Sequence, residues 1–180
     1  MEDGIRLVLP AMEHRERAVD YIREFQEHAS NVHGSGSLDR FLRESTYEAW
    51  LEKLKGDTDI ANMPEGRVAA LTYFCIRERD QRIVGMVNIR LMSSEFIVTE
   101  AGHVGYSVRP TERRRHYATR MLRSAVRVCR AVGIGDVVVT CEAGNDASAG
   151  TIMKCGGTLD AEFYSERFGE VVQRYVIPAE

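Results

Sequence analysis

The chain has 180 residues, a formal net charge of −3, and 44% apolar and 28% charged residues. That mixture predicts a single soluble globular domain with a full hydrophobic core. It argues against a general nucleic-acid binder; no apolar run is long enough to span a bilayer, and the charged start MEDGIRLVLPAMEHRER does not resemble a secretory leader, so a cytoplasmic location is expected.

The first strand is expected over Ile5 to Leu9. A helix follows from about Glu13 to His28, with Val19, Ile22 and Phe25 on one face. SNVHGSGS, residues 30–37, reads as a loop. A second helical region ends in TYEAWLEKLKG, where Ser45 and Glu48 have capping-box spacing and Gly56 is placed as a stop; residues 57–66 read as another loop. Val68 to Arg77 and Ile83 to Met92 predict a hairpin turning at Glu78 to Gln81. A loop, residues 93–100, leads to a strand from His103 to Arg109, which Pro110 ends because it has no N–H for a ladder. From about Arg114 to Val132, apolar residues recur at helical spacing while most arginines fall off that stripe. Val137 to Cys141 is an all-apolar strand pattern. Asn145 opens a short helix that stops at Gly156 and Gly157. Strands over Thr158 to Glu166 and Val171 to Ile177 finish the chain. The interleaving predicts an α/β (mixed α+β) domain around one mixed sheet.

The four cysteines form no C-x-x-C pair and have no histidine at metal-ligand spacing, so no metal is expected. Cys75, Cys129 and Cys141 read as small buried hydrophobes. Cys155 lies near a helix C-terminus, the wrong end to stabilise a thiolate.

The most informative segment is VRPTERRRHYA, Val108 to Ala118. A strand ends, an arginine-rich turn follows and an amphipathic helix begins. The first N–H groups of a helix lack intrahelical partners, and its dipole adds partial positive charge there. Arg113, Arg114 and Arg115 add forked donors suited to phosphate oxygens. An arginine cluster alone is equally a solvated helix start; its context is what singles it out.

That context resembles the acetyl-coenzyme A motif of the GNAT N-acetyltransferase superfamily: Arg or Gln, two residues, Gly, one residue, then Gly or Ala. Here Arg113 takes the first position and Ala118 the last. His116 stands in place of the motif glycine, and Arg114 where a further glycine is frequent. Downstream, Asn145, Ser148, Lys154, Gly156 and Gly157 in NDASAGTIMKCGG resemble the second GNAT motif. The likeness is strong from His103 to Leu159 and weak before Val68. It implies a single-domain GNAT-like fold, a central, mostly antiparallel sheet of about seven strands flanked by about four helices, with the strand before the arginine turn splaying from its neighbour. Residues 1–66 would form a variable helical acceptor side, 67–160 the acetyl-CoA-binding core and 161–180 the last strands. A homodimer would be in keeping with the family.

The resemblance implies an enzyme that moves acetyl from acetyl-CoA to a primary amine, on a small molecule or a peptide, by direct attack. Acetyl-CoA would be the cosubstrate, held by Val108, Arg113, Arg114, Arg115, His116, Tyr117, Ala118, Asn145 and Ser148, with no metal. A histidine can replace the motif glycine if its backbone is helical and its side chain points away. For the general base, His103 has a suitable unperturbed pKa and Glu142 lies just past a buried strand; Glu100 is a weaker third choice. A half-buried strand histidine and an exposed loop carboxylate are the plainer readings of the first two. Many relatives place a proton-donating tyrosine where this chain has Ile152, leaving Tyr164, Tyr175 or water. The loop 30–37 and the N-terminal helices would shape the acceptor pocket. Trp50, Phe25 and Phe41 would be its walls or, more simply, core residues. The competing readings are a catalytically weak cofactor sensor or structural module on the same fold, and an RNA binder; the charge and the lack of aromatic residues between the arginines count against RNA.

Overall fold

The computed structural model describes residues 3–64 and 66–179. Seven strands form two antiparallel sheets. The first has the order β1 (Ile5–Val8), β2 (Ala70–Arg77), β3 (Ile83–Arg90), β4 (Val104–Val108); the second has β5 (Val137–Glu142) and β6 (Thr158–Ser165) on either side of β7 (Glu170–Ile177). Five α-helices accompany them: α1 (Arg15–Glu27), α2 (Leu38–Glu44), α3 (Tyr47–Gly56), α4 (Tyr117–Ala131) and α5 (Asp146–Lys154).

The expected single sheet is therefore split. β4 and β5 share no ladder. Hydrogen bonds tie them just ahead of β4: the His103 N–H donates to the Val138 carbonyl at 2.6 Å, and the Val138 N–H donates to His103 Nδ1 at 3.0 Å. Gly102 makes that approach feasible. Its φ is +66°, and a Cβ there would lie 3.0 Å from Thr140 N and from the Val138 oxygen. Beyond the joint the two strands diverge into a splay.

Alternation along the strands sorts the core. Phe74 and Ile76 of β2 face α1–α3, in a cluster with Tyr21, Phe25, Tyr47 and Trp50, while Cys75 faces Tyr117 and Met121 of α4. A third cluster carries α4 and α5 across the break, joining Val87, Ile89 and Leu122 to Val137, Val139, Ile152 and Ile177. Full burial of Phe25 or Phe74 alone contributes roughly 1.5–3 kcal/mol.

Several boundaries differ from the sequence expectations. The cap of α3 is Thr46, whose hydroxyl accepts from the Ala49 N–H, not Ser45. The helix expected from Glu13 begins with a 3-10 turn at Met12–His14. The loop 93–100 contains the start of a π-helical turn, Ile97–Ala101, and the loop 57–66 a 3-10 turn, Ile60–Asn62. The arginine turn is longer than expected, since α4 starts at Tyr117 and not near Arg114. Cys75 and Cys129 are buried, whereas Cys141 is only half-buried, and all four thiols are free.

Candidate active site

The arginine turn comes first. Pro110–Glu112 form a 3-10 turn, and Arg113 is extended. Arg114 and His116 both adopt the left-handed conformation, with φ of +62° and +61°. These are the two positions where the family motif favours glycine. The expectation that His116 keeps a helical backbone is thus corrected: it reaches the motif geometry at a cost of order 1–3 kcal/mol. Its side chain is exposed. The N–H groups of Arg114 through Ala118 have no hydrogen-bond partner among the described residues. Several unpartnered donors thus follow one another at a helix start, an arrangement that fits a diphosphate. Arg114 is exposed, and Arg115 lies 3.5 Å from the Glu112 carboxylate. Arg113 bonds Ser30 Oγ at 2.6 Å and the Val108 carbonyl at 3.3 Å, tying the turn to the end of α1 and to β4. Tyr117 contributes only its backbone, because its buried ring turns inward and its hydroxyl donates to Asp3.

A buried ion network underlies this turn. Arg109 donates to Asp20 at 2.9 Å and to Glu24 at 2.8 Å. Arg82 bridges Glu24 and Glu112, and Arg77 bridges Glu112 and Asp80. Glu24 also accepts from the Thr111 N–H and hydroxyl. Burial alone would raise the Glu24 pKa, but those donors and Arg109 bring it down to about 2. Arg77 holds Asp80 at about 2. None of this network was singled out from sequence; the Arg109–Pro110 pair was read only as a strand end.

The splay is the second component. Arg109 and Arg90 bond across β3–β4, through the Arg109 N–H to Val84 and the Arg90 N–H to His103. Alternation along that antiparallel pair therefore turns the Tyr106 and Val108 backbone toward β5. Across the gap, the Tyr106 hydroxyl and Ser148 Oγ lie 2.9 Å apart. Burial pushes the Tyr106 pKa up to about 12. Asn145 caps α5, its side chain accepting from the Ser148 N–H. Cys141 is beside Ser148, and burial raises its thiol pKa.

The candidate acid–base residues separate clearly. His103 is fully buried; Nδ1 accepts from Val138 and Nε2 lies 3.0 Å from Ser93 Oγ. Burial pushes its pKa down. Both ring nitrogens are thus engaged, Nδ1 across the joint between the sheets and Nε2 with the loop after β3. Glu100 accepts from Ser165 Oγ. Glu142, at the end of β5, is half-buried with no side-chain partner among the described residues. Ile152 is buried core. Tyr164 is exposed, and the Tyr175 hydroxyl donates to Gln173. No cluster of metal-ligating groups occurs among the described residues.

On the opposite face of the first sheet, the loop 30–37 covers Gly105. A Cβ on Gly34 would lie 2.2 Å from the Gly105 oxygen. Trp50 and Phe25 are core, and Trp50 also donates to the Gly36 carbonyl, anchoring the loop; Phe41 packs at the core margin. Beside the loop lies a cavity of about 480 Å³, lined in part by Asn88, Arg90, Phe96, Gly105 and Arg167.

Two antiparallel sheets that share no ladder between β4 and β5, with unpartnered amides at the start of α4, make up a mixed α/β fold. The sequence matches the Acetyltransferase (GNAT) domain over residues 6–158, and the chain belongs to that family. Solved structures agree on the fold. Ribosomal-protein-S5-alanine acetyltransferase from Vibrio fischeri superposes with a TM-score of 0.71 at 16% identity, covering 98% of this chain and 92% of that one. RimJ of Mycobacterium smegmatis, in complex with CoA-disulfide, gives 0.70 at 17%, covering 97% and 82%. YncA of Salmonella typhimurium, with its cofactor acetyl-CoA, gives 0.65 at 13%, covering 99% and 95%. A search of curated proteins finds no match. Among the described residues no helix is long and apolar enough to cross a membrane.

Proposed function

We propose that the protein transfers an acetyl group from acetyl-CoA to a primary amine by direct attack inside the splay. The observation that carries this reading is the run of unpartnered amides from Arg114 to Ala118, set among three arginines at the mouth of a cleft along which β4 has no ladder partner among the described residues. Acetyl-CoA, when bound, supplies the acetyl group as a thioester. In this reading the turn amides and the Arg114 and Arg115 side chains hold its diphosphate, with Arg113 fixing the turn. The Val108 backbone, Asn145 and Ser148 line the path of the pantetheine arm. Residues 67–160 form this cofactor side, and 1–66 the acceptor side.

Catalysis then rests on positioning and on proton movement. Glu142 is the group free to accept the proton of the acceptor ammonium, directly or through water. The Tyr106–Ser148 pair, already hydrogen-bonded in the gap, is placed to return a proton to the leaving thiolate; it supplies what Ile152 cannot. His103 is assigned to the joint. A cytoplasmic site of action goes with use of acetyl-CoA.

The test is a thermal-shift titration with acetyl-CoA alongside free-thiol release over a panel of amines and peptides. Binding with turnover is expected. Binding without turnover on any acceptor would favour a cofactor sensor, and absence of binding would overturn both.

A further inference from the structure

The cavity beside loop 30–37 has an unbalanced charge. Its two described carboxylates are already engaged: Asp57 with Lys53 at 2.5 Å, Asp39 with Arg43 at 3.4 Å. Arg90 and Arg167 line the same cavity without a carboxylate partner among the described residues. Arg90 donates through one terminal nitrogen to the carbonyls of Ala101 and Gly102, at 3.1 and 2.7 Å. Those bonds fix the guanidinium without neutralising it, and its remaining donors are unused. Arg167 stacks at 4.1 Å over the Phe96 ring, again oriented and not neutralised. A half-buried guanidinium with free donors is a receptor for an oxyanion, since burial without a counter-charge is costly.

Register gives the backbone separation between Arg90 and the proposed site of transfer in the splay. Arg90 lies opposite His103, and Tyr106 and Val108 are three and five residues further along β4. At about 3.3 Å per residue the separation is roughly 10–16 Å. A free amino acid is too short to join an amine at one end to a carboxylate at the other. About three to five residues of extended peptide span it.

We infer that the cavity takes the N-terminal segment of an acidic peptide, its amine at the splay and a carboxylate side chain a few residues downstream on Arg90 and Arg167. The direction of the peptide rests on the acetyl-transfer reading above; the charge preference does not.

The experiment measures fluorescence anisotropy of short labelled peptides with free N-termini, added to the CoA-loaded protein. The peptides differ only in carrying Glu, Gln or Lys at about the fourth and fifth positions. The Glu peptide is expected to bind about tenfold or more tightly than the Gln peptide, and the Lys peptide more weakly than either. Arg90→Gln and the exposed Arg167→Gln should each remove most of that preference; Arg167→Gln carries the test if Arg90→Gln disturbs the Ala101–Gly102 turn. Equal affinity for Glu and Gln peptides, or an unchanged preference in Arg167→Gln, overturns the inference. Acetylation is followed in parallel by mass. A Glu peptide that binds selectively but is never acetylated supports the inference and overturns acetyl transfer. Equal kcat/KM on Glu and Gln peptides overturns the inference and leaves acetyl transfer standing.

Discussion

The turn at the head of α4 and the cavity under loop 30–37 are both rich in arginine, but they use it differently. Beneath the turn, Arg77, Arg82 and Arg109 are each matched by carboxylates from α1, the β2–β3 turn and the segment after β4. Their charge holds backbone in place, and the proposed anion site is made of unpartnered amides. In the cavity, Arg90 and Arg167 meet only carbonyls and a ring. The same residue type builds a scaffold where its charge is balanced and a receptor where it is not.

The largest expected effect lies in the balanced region. Glu24→Ala leaves Arg109 buried without its main partner, and breaking such a pair costs about 3–5 kcal/mol. Denaturant titration should show it, with the loss of ordered turn amides. The same carboxylate predicts an acid limit. Its folded pKa, about 2, lies below the ordinary carboxylate value. Its contribution is therefore fully present above about pH 4.5 and fades as pH falls toward 2. A Glu24→Gln variant should lack that part of the pH dependence in an acid-unfolding series.

Next comes the wall between the two regions. Gly34 has φ of +67° and backs onto Gly105, so Gly34→Ala should cost about 2–3 kcal/mol or displace the loop. Acetyl-CoA affinity should then change less than acceptor KM, and an equal change in both would blur the distinction between the sides. A smaller effect is expected at the turn surface. Arg114→Ala should weaken acetyl-CoA by about tenfold in calorimetry, with stability unchanged. The smallest is a gain: His116→Gly removes left-handed strain and should stabilise the fold by about 1 kcal/mol without loss of cofactor affinity.

Much of the turn was legible in sequence because its chemistry is local. Strand, proline, arginines and helix follow one another, and backbone amides at a helix start need no particular side chain. Asn145 was legible as a cap for the same reason. What the sequence hid depends on distant partners. His103 reads as a base from its pKa, while in the fold Val138 and Ser93 engage both of its ring nitrogens. Its contact with Val138 spans thirty-five positions, which no local pattern encodes. Arg90 looks like one of many strand-end arginines until its lack of a counter-charge is visible in three dimensions. The break between β4 and β5 leaves no mark in either strand's ordinary apolar pattern; the family resemblance alone leads one to expect it, and the ladder partners show it. The Tyr106–Ser148 pair had a faint signal: Ser148 falls inside the second quoted motif, and Tyr106 on the strand expected from His103 to Arg109.

The most direct test follows backbone amide resonances during titration with acetyl-CoA. The account predicts large, saturable shifts at Arg114 through Ala118, with accompanying shifts at Val108 and Ser148. Shifts confined to other parts of the surface, with those turn amides unmoved at saturation, would contradict it.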